Sequence, residues 1–319
     1  MKVIDLINNA NGKTLFSFEI LPPKKGEGIK SLFECIDPLM EFNPAFIDVT
    51  YSREQIIDVQ TTDGIIKQRT SSKRPGTVGI CAAIINKYSV ETVPHLICGG
   101  FTKEETENAL IDLSYLGIEN ILAMQGDKMT SEPHFIPTPN GHAYASDLIE
   151  QIVDMNKGLY LDEDLGENAS TNFCISAACY PEKHFASKSV EEELIYLKKK
   201  IELGAEYLVT QMFFDNQKFF DFVDLCKKNG ITVPIIPGLK PLTTKRQLEV
   251  LPDVFFINIP EELKQQVLAC KDNTEVKEIG IQWAIKQSKE LKEAGVPVLH
   301  YYTMSKATST LAIAKEVFG

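Results

Sequence analysis

The sequence has little that points to a membrane, to secretion or to a bound metal. It contains no run of about 18 apolar residues, the minimum for a membrane-spanning helix. Its first residues lack the apolar stretch and small-residue cleavage site of a signal peptide. The cysteines are odd in number, seven, and scattered without a CxxC motif, which disfavours disulfides and zinc. We therefore expect a cytoplasmic protein with reduced thiols, in which Cys81, Cys98 and Cys174 are small core residues.

Positive charge is also scarce. The 33 Lys and Arg are outnumbered by 44 Asp and Glu, which gives a net charge of -11. Such a chain repels nucleic-acid phosphates and anionic membrane surfaces, so neither is an expected partner. The sequence has no GxGxxG after a strand, no P-loop, no HExxH and no GxSxG. A dinucleotide bound here would not use a Rossmann fingerprint, and no metal is expected.

The pattern that is present is an alternation of strands and helices. Hydrophobic residues make up 44% of the 319 positions, enough for a sizeable core. Eight β-branched or aromatic runs are predicted strands: 14–20, 46–50, 92–97, 119–124, 172–178, 206–211, 233–237 and 297–301. Apolar residues recur at helical spacing in 103–116, 145–156, 190–203, 216–228, 260–270 and 274–294.

Strands that alternate with helices pair in parallel through right-handed crossovers. Eight such units predict an α/β fold, a (β/α)8 TIM barrel, as a single domain over residues 1–319; an open doubly wound sheet is the alternative. The segment 128–142 is rich in Pro, Thr, Asn and Gly, so we expect a long loop that acts as a lid. Residues 161–170 are acidic and are predicted to be a solvated insertion.

Polar residues stand where nearly every predicted strand stops, which in a barrel is the active-site face. Each of them alone could also be an ordinary turn residue. The set comprises Glu19, Thr50, Tyr51, His95, Gln125, Gly126, Asp127, Tyr180, Gln211, Gly238 and Tyr302.

Glu19 is the most informative of these residues. Two-residue alternation directs Phe16 and Phe18 toward the helices, and Ser17 and Glu19 toward the barrel interior. A carboxyl group there is costly to ionise, which suits a general acid. The alternative is a carboxylate paired with a nearby Lys or Arg.

The other candidates are weaker when taken singly. Gly126 permits a close backbone approach, and Asp127 either polarises a ligand or caps the loop. His95 is a base or a hydrogen-bonded structural residue. His184 and Lys188 by themselves are typical of a surface loop.

Taken in order, these segments resemble the methylenetetrahydrofolate reductase family over nearly the whole chain. The segments that carry the resemblance are Phe16-Ser17-Phe18-Glu19, Pro22-Pro23, Asp48-Val49-Thr50-Tyr51, Pro94-His95-Leu96, Gly126-Asp127, Tyr144-Ala145-Ser146-Asp147-Leu148, Tyr180-Pro181-Glu182-Lys183-His184, Thr210-Gln211-Met212-Phe213-Phe214-Asp215, Ile236-Pro237-Gly238 and Tyr302-Thr303.

The resemblance implies a barrel that binds FAD non-covalently. NADH or NADPH reduces the flavin and leaves, and methylenetetrahydrofolate is then reduced to methyltetrahydrofolate, which feeds methionine synthesis. We also expect a homo-oligomer. Because the sequence stops at Gly319, we expect no C-terminal regulatory domain.

The resemblance also assigns roles to residues. Glu19 matches the proton donor, and Asp127 lies beside the flavin and the pterin, so both are catalytic and substrate-binding. Gln211, Tyr302 and Lys306 match the substrate side. The positions that match FAD contacts are Thr50, Tyr51, His95, Ala123, Met124, Gln125, Gly126, Asp127, Tyr144, Ala145, Ala178, Tyr180, His184, Glu193, Tyr196 and Lys200.

Several positions depart from the family pattern. Gln125 stands where Arg is usual, Lys306 replaces a more usual Arg, and Glu193 and Tyr196 stand where Asp and Asn often contact FAD. Two alternative functions therefore remain: another flavin-dependent barrel oxidoreductase, and a non-catalytic folate-binding or partner subunit.

Overall fold

The computed structural model describes residues 1–60, 66–129, 131–162, 169–182, 189–304 and 306–319. The strands in these ranges are β1 (Leu15–Ile20), β2 (Phe46–Val49), β3 (Gln55–Gln60), β4 (Ile66–Ser71), β5 (Glu91–Ile97), β6 (Asn120–Met124), β7 (Cys174–Cys179), β8 (Tyr207–Thr210), β9 (Ile235–Ile236), β10 (Gly238–Leu239) and β11 (Val298–Tyr302). All except β3 and β4 form one parallel sheet in the order β10-β11-β1-β2-β5-β6-β7-β8-β9.

The sheet closes into a barrel at Pro237. This residue separates β9, which pairs with β8, from β10, which pairs with β11. Proline has no N–H to give to the ladder, but its carbonyl still accepts a hydrogen bond from the His300 N–H at 3.2 Å. β9 and β10 are therefore two pieces of one interrupted strand, and the prediction of a (β/α)8 barrel is confirmed.

Helices connect the strands and cover the outside of the barrel. They are α1 (Val3–Asn9), α2 (Ile29–Ile36), α3 (Thr77–Tyr88), α4 (Lys103–Tyr115), α5 (Ala145–Asn156), α6 (Val190–Glu202), α7 (Asn216–Lys228), α8 (Gln247–Phe255), α9 (Glu261–Ala269), α10 (Asn273–Glu293) and α11 (Thr308–Phe318), with a 3-10 helix at Asp37–Phe42. Local chemistry sets several starts; at α4, for example, Thr102 and Glu105 form a reciprocal capping box.

The sequence prediction missed the strands β3 and β4, the 3-10 helix, and the helices α1, α2, α3, α8 and α11. β3 and β4 form an antiparallel hairpin, whose turn lies outside the described residues. In α3, β-branched residues and small ones mask the helical periodicity, as at Val78, Ile80 and Ile84. Of the predicted insertion 161–170, residues 163–168 also lie outside the described chain.

The interior of the barrel has two layers. The lower layer is a mainly apolar cluster that α1 covers at the N-terminal end of the strands; its buried members are Val3, Phe46, Val93, Leu122, Cys174, Tyr207, Val209, Ile236 and Val298. The upper layer is polar and includes Ser17, Asp48, His95 and His300, each at most 2% exposed. On β1, Phe16 and Phe18 pack with the helices in the main core, so the predicted alternation is confirmed.

All seven cysteines are free and buried, which confirms the prediction for Cys81, Cys98 and Cys174. Burial raises the pKa of these three thiols to about 12. Within the described ranges, no helix has both the length and the apolar character needed to span a bilayer.

Candidate functional site

Glu19 lies inside the barrel just below its C-terminal mouth, as strand alternation predicts. In the sheet it is paired with Tyr302 on β11 and with Asp48 on β2. Its side chain is 15% exposed, so it is shielded but can still be reached from the mouth. The prediction that Glu19 points inward is confirmed by these contacts.

The Thr50 hydroxyl defines the hydrogen bonding of Glu19. Thr50 Oγ1 lies 2.5 Å from Glu19 Oε1 and 3.0 Å from the carbonyl oxygen of Ile20. A hydroxyl has a single proton to donate, and a carbonyl can only accept. If Thr50 donates to Ile20, it accepts from a protonated Glu19. If Thr50 instead donates to Glu19, the carboxyl is ionised, so this contact accommodates both the acid that gives up a proton and the carboxylate that is left.

Beneath Glu19, two buried histidines lie in different electrostatic surroundings. His95 Nε2 is 3.3 Å from Asp48 Oδ2 and 3.8 Å from Glu19 Oε2. Burial opposes the charged imidazole of His95, but the two carboxylates outweigh it and raise its pKa. His300 lies 2.8 Å from the neutral Ser17 hydroxyl, and burial lowers its pKa. Any positive charge in this layer is thus concentrated on His95.

Lys240 is a site residue that the sequence prediction missed. It directly follows Leu239, which is paired with Tyr301, so Lys240 lies alongside Tyr302 and one strand further from Glu19. Burial lowers the pKa of the Lys240 ammonium to about 8, and attraction to Glu19 partly opposes this effect. Within the described chain, no carboxylate lies within 4 Å of it. Lys240 therefore faces the mouth as an unpaired cation near the acid.

Asp127 follows β6 on the rim of the mouth. Gly126, before it, has φ +81°, and a Cβ added there would lie 3.0 Å from the Ile97 side chain, so only glycine fills this position without strain. Solvent reaches the Asp127 side chain, yet the surrounding protein desolvates the carboxyl enough to raise its pKa. In the described chain no group donates a hydrogen bond to this carboxylate, so it is available to a ligand.

Arg53 fixes the loop that continues from Asp127. Its guanidinium donates to both carboxylate oxygens of Glu132, at 3.0 and 3.3 Å, and to the carbonyl oxygens of Asp127 and Ile136. Both side chains of the ion pair are at most 8% exposed. The loop predicted to be a lid is therefore tethered to the rim, a contact that sequence alone did not reveal.

The predicted FAD positions on α5 and α6 come together beside this rim. Tyr144, just before α5, and Tyr196 on α6 are 63% and 50% exposed and interact electrostatically. Glu193, Tyr196 and Lys200 form one stripe of α6, spaced three and four residues apart. Lys200 Nζ donates to the Ala178 carbonyl at 3.0 Å; burial lowers its pKa, and Glu193 opposes that effect.

Tyr180 links this group to the rim, because both Glu193 and Asp127 add to the burial that raises its pKa. Gln125 Nε2 donates to the carbonyl of Ala143, the residue before Tyr144, at 2.8 Å. Tyr51 is half-buried and packs on Phe101, with ring centroids 5.0 Å apart.

Not all predicted contacts reach the mouth. Ala123 is fully buried in the main core, Ala145 is 8% exposed and His95 is 2% exposed. Met124 is half-buried and packs on the lower interior cluster. His184 lies outside the described residues.

On the substrate side, Gln211 is half-buried, and its Oε1 accepts from the Met212 N–H at 2.9 Å. Tyr302 donates to the Thr210 carbonyl at 2.6 Å, and a side chain at Gly238 would collide with both of these residues. Lys306 is exposed. Across the described ranges, no group of three or more His, Cys, Asp or Glu side chains is arranged to hold a metal ion.

Enzymes of the (β/α)8 class carry their chemistry at the C-terminal end of the barrel, and the polar layer and rim of this chain follow that rule. Within the class, the chain belongs to the methylenetetrahydrofolate reductase family, whose model matches residues 3–317.

Individual relatives agree with this assignment. "Methylenetetrahydrofolate reductase (NADH) 1" of Arabidopsis thaliana is 33% identical over 98% of this chain, which spans only about half (50%) of that protein. The 5,10-methylenetetrahydrofolate reductase of Escherichia coli is 30% identical over 95% of this chain and 90% of its own length.

Solved structures support the fold. A Clostridium thermocellum protein that binds two copies of 5-methyl-5,6,7,8-tetrahydrofolic acid has a TM-score of 0.58 and 16% identity, with 98% of both chains covered. An oxaloacetate acetylhydrolase has a TM-score of 0.52 and 10% identity, with 98% of this chain and 81% of that chain covered. At such identities the likeness establishes the barrel alone.

Proposed function

We propose that this chain reduces 5,10-methylenetetrahydrofolate to 5-methyltetrahydrofolate, with hydride from NADH or NADPH that passes through non-covalently bound FAD. The observation that carries the proposal is Glu19, shielded inside the mouth and bonded to Thr50 in a way that accommodates its protonated form. Family membership supports the substrate, and the names of the plant relatives favour NADH.

The side chains around the rim fit a flavin dinucleotide. Tyr144 and Tyr196 present two exposed aromatic rings, each suited to stacking on a planar ring system. Lys200 supplies a cation one helical turn beyond Tyr196. Thr50, Tyr51, Gly126 and Tyr180 line the side toward the acid. When bound, FAD would supply hydride transfer between the nicotinamide cofactor and the folate.

The chain's own contribution is to make the folate carbon electrophilic. Glu19 would give its proton to the outer bridging nitrogen of the five-membered ring, and the ring would open to an iminium cation. The Asp127 carboxylate on the rim, which the surrounding protein partly desolvates, would favour that cation electrostatically. Gln211, Tyr302 and Lys306 would hold the folate on the opposite side. Because both substrates use one mouth, we propose that the nicotinamide product leaves before the folate binds.

The test is turnover by the purified protein. We expect a yellow protein whose colour is released entirely into the supernatant on acid precipitation, since no flavin-attachment motif is present. It should oxidise NADH or NADPH in the presence of methylenetetrahydrofolate, with 5-methyltetrahydrofolate identified chromatographically. A yellow protein without folate turnover would indicate a different flavin-dependent barrel oxidoreductase. A colourless protein that FAD does not activate would indicate a non-catalytic subunit.

We also propose a cytoplasmic setting, in line with the acidic charge and the seven buried free thiols, and assembly with further copies of the same chain. The product would then be available for methionine synthesis. Light scattering of the purified protein tests the assembly, and a mass equal to one 35.7 kDa chain would contradict it.

A further inference from the structure

Three ionisable side chains form a row beneath the mouth of the barrel: Asp48 on β2, His95 on β5 and Glu19 on β1. His95 Nε2 lies between the two carboxyl groups, 3.3 Å from Asp48 Oδ2 and 3.8 Å from Glu19 Oε2. Asp48 is 1% exposed and His95 is 2% exposed. Charges buried this deeply are tolerated only when they compensate one another, so the protonation states of the three groups are coupled.

The charges around the row favour a cation on His95. Burial disfavours the imidazolium, but the Glu19 carboxylate and the contact with Asp48 more than offset it and raise the pKa of His95. While Glu19 holds its proton, its share of this attraction is absent and the contact with Asp48, at 3.3 Å, remains. The other titratable groups that interact with the row are His300 and Tyr302 from β11, Lys240 after β10, Tyr207 from β8 and the neutral thiol of Cys81 from α3. Of these, His300 has a pKa lowered by burial and Lys240 keeps a charge at neutral pH, so Asp48 is the anion that balances His95.

The proposed proton donation makes this cation useful. As the Glu19 O–H bond breaks, an N–H bond forms at the substrate nitrogen, and the C–N bond of the substrate ring opens. A neutral acid and a neutral substrate thus become a carboxylate and an iminium cation. The carboxylate is left in a poorly hydrated place, where an ion is costly unless an opposite charge is near.

We propose that Asp48 is a positioning residue for this reaction: it keeps His95 protonated, and the His95 cation stabilises the carboxylate that Glu19 becomes when it gives up its proton. This inference rests on the proposed function, but it adds Asp48 and His95, to which the proposed function gives no part in the proton transfer. The simpler alternative is that Asp48 and His95 are only a structural pair that fills the barrel.

The decisive variant is Asp48→Asn in the full-length flavoprotein. The reduced flavin is mixed with methylenetetrahydrofolate, and its reoxidation is followed between about pH 6 and 9, the range in which a perturbed carboxyl or imidazole titrates. In wild type, activity is expected to fall as the pH rises and Glu19 loses its proton. If the inference is right, the apparent pKa of this fall moves up by about 1 unit in Asp48→Asn, because loss of an adjacent opposite charge shifts a carboxyl by about 1–3 units. The maximal rate falls by up to about tenfold.

Ser17→Ala is the matched control. It removes a buried hydroxyl of the same layer, but one that bonds to His300 rather than His95. Both variants lose a buried hydrogen-bonding partner, so both are expected to lower stability. Only Asp48→Asn should move the pH limb. An unmoved limb in a folded Asp48→Asn protein, or an equal shift in Ser17→Ala, would overturn the proposal.

A second measurement needs neither turnover nor a variant. Nitrogen-15 NMR of the histidine side chains in the wild-type protein distinguishes imidazolium from neutral imidazole for each of the five histidines. We expect His95 to be an imidazolium at neutral pH and His300 to be neutral. A neutral His95 overturns the inference even if folate turnover is confirmed. If turnover is absent while His95 is charged, the proposed function fails instead, and with it the catalytic part of the inference.

Discussion

The lower and upper layers of the barrel interior differ within single strands. On β2, Phe46 belongs to the apolar lower layer, and Asp48, two residues later, belongs to the polar upper one. On β5, Val93 and His95 show the same change. Side chains on the same face of a strand recur every second residue. Two positions along one strand therefore separate a residue that stabilises the barrel from a residue of the candidate site.

The two layers also differ in how many buried polar atoms lack a hydrogen-bond partner. In the lower layer, which is mainly apolar and sealed by α1, the Tyr207 hydroxyl is such an atom. In the upper layer, and counting only described residues, Asp48 Oδ1, His95 Nδ1 and His300 Nε2 are buried with no hydrogen-bond partner. Each such group costs roughly 1–3 kcal/mol of stability. The upper layer is therefore kept at the expense of stability, which is expected of residues retained for function.

The largest functional effect is expected from Glu19→Gln, a change at the upper end of the barrel interior. The amide keeps the size of the acid but has no acidic proton to donate, so folate reduction should fall on the order of 10²–10⁴-fold. Flavin reduction by the nicotinamide cofactor should stay within about tenfold of wild type, since it requires no proton from Glu19. Stopped-flow absorbance of the flavin separates the two half-reactions. Loss of both with FAD retained would make Glu19 a general ligand-positioning residue, and loss of neither would make it structural.

A change in the lower layer should act on stability alone. Ile236→Ala empties part of the apolar layer, and truncations of this kind cost about 2–5 kcal/mol. Urea denaturation should show a lower midpoint with an unchanged slope. The rate per folded molecule should match wild type. A proportionate loss of turnover in the fully folded protein would mean that the two layers are not separable.

The sequence revealed the strand ends and the inward direction of Glu19, because both depend on local alternation. It did not reveal the pairing of Asp48 with His95, which lie 47 residues apart and meet only through the register of β2 and β5. Lys240 was missed because the strand before it was predicted to stop at Pro237. The register of a closed sheet is a property of the whole barrel, so no local pattern contains it.

Asp127→Asn extends the comparison to the rim. Removal of a negative charge beside the flavin should favour its anionic reduced form. We expect the flavin potential to rise by about 20–40 mV, equal to about 1–2 kcal/mol for a two-electron couple, while folate reduction slows. Redox titration of the purified flavoprotein measures the shift. A potential at or below that of wild type would place Asp127 away from the flavin.

The smallest expected effect concerns Lys240. Its folded-state pKa of about 8 lies below the unfolded value of about 10.4, so the buried charge destabilises the fold at neutral pH. Lys240→Met should raise the melting temperature by no more than about 2–4 °C at pH 7. The penalty applies in full below pH 8 and disappears as pH rises toward 10.4, so the advantage of the variant should shrink across that window. Melting curves at several pH values test this, and a constant difference would show that Lys240 is well hydrated.

Fluorescent labelling of this protein benefits from its buried thiols. Each native cysteine is inside the fold, and burial holds the pKa of Cys81, Cys98, Cys174 and Cys226 at about 12, so almost no reactive thiolate forms at neutral pH. A cysteine introduced at Tyr115, which is 88% exposed at the end of α4, would therefore be modified selectively by a maleimide dye. A single-site probe could be attached without first removing any native cysteine, and its polarisation would report on assembly and ligand binding.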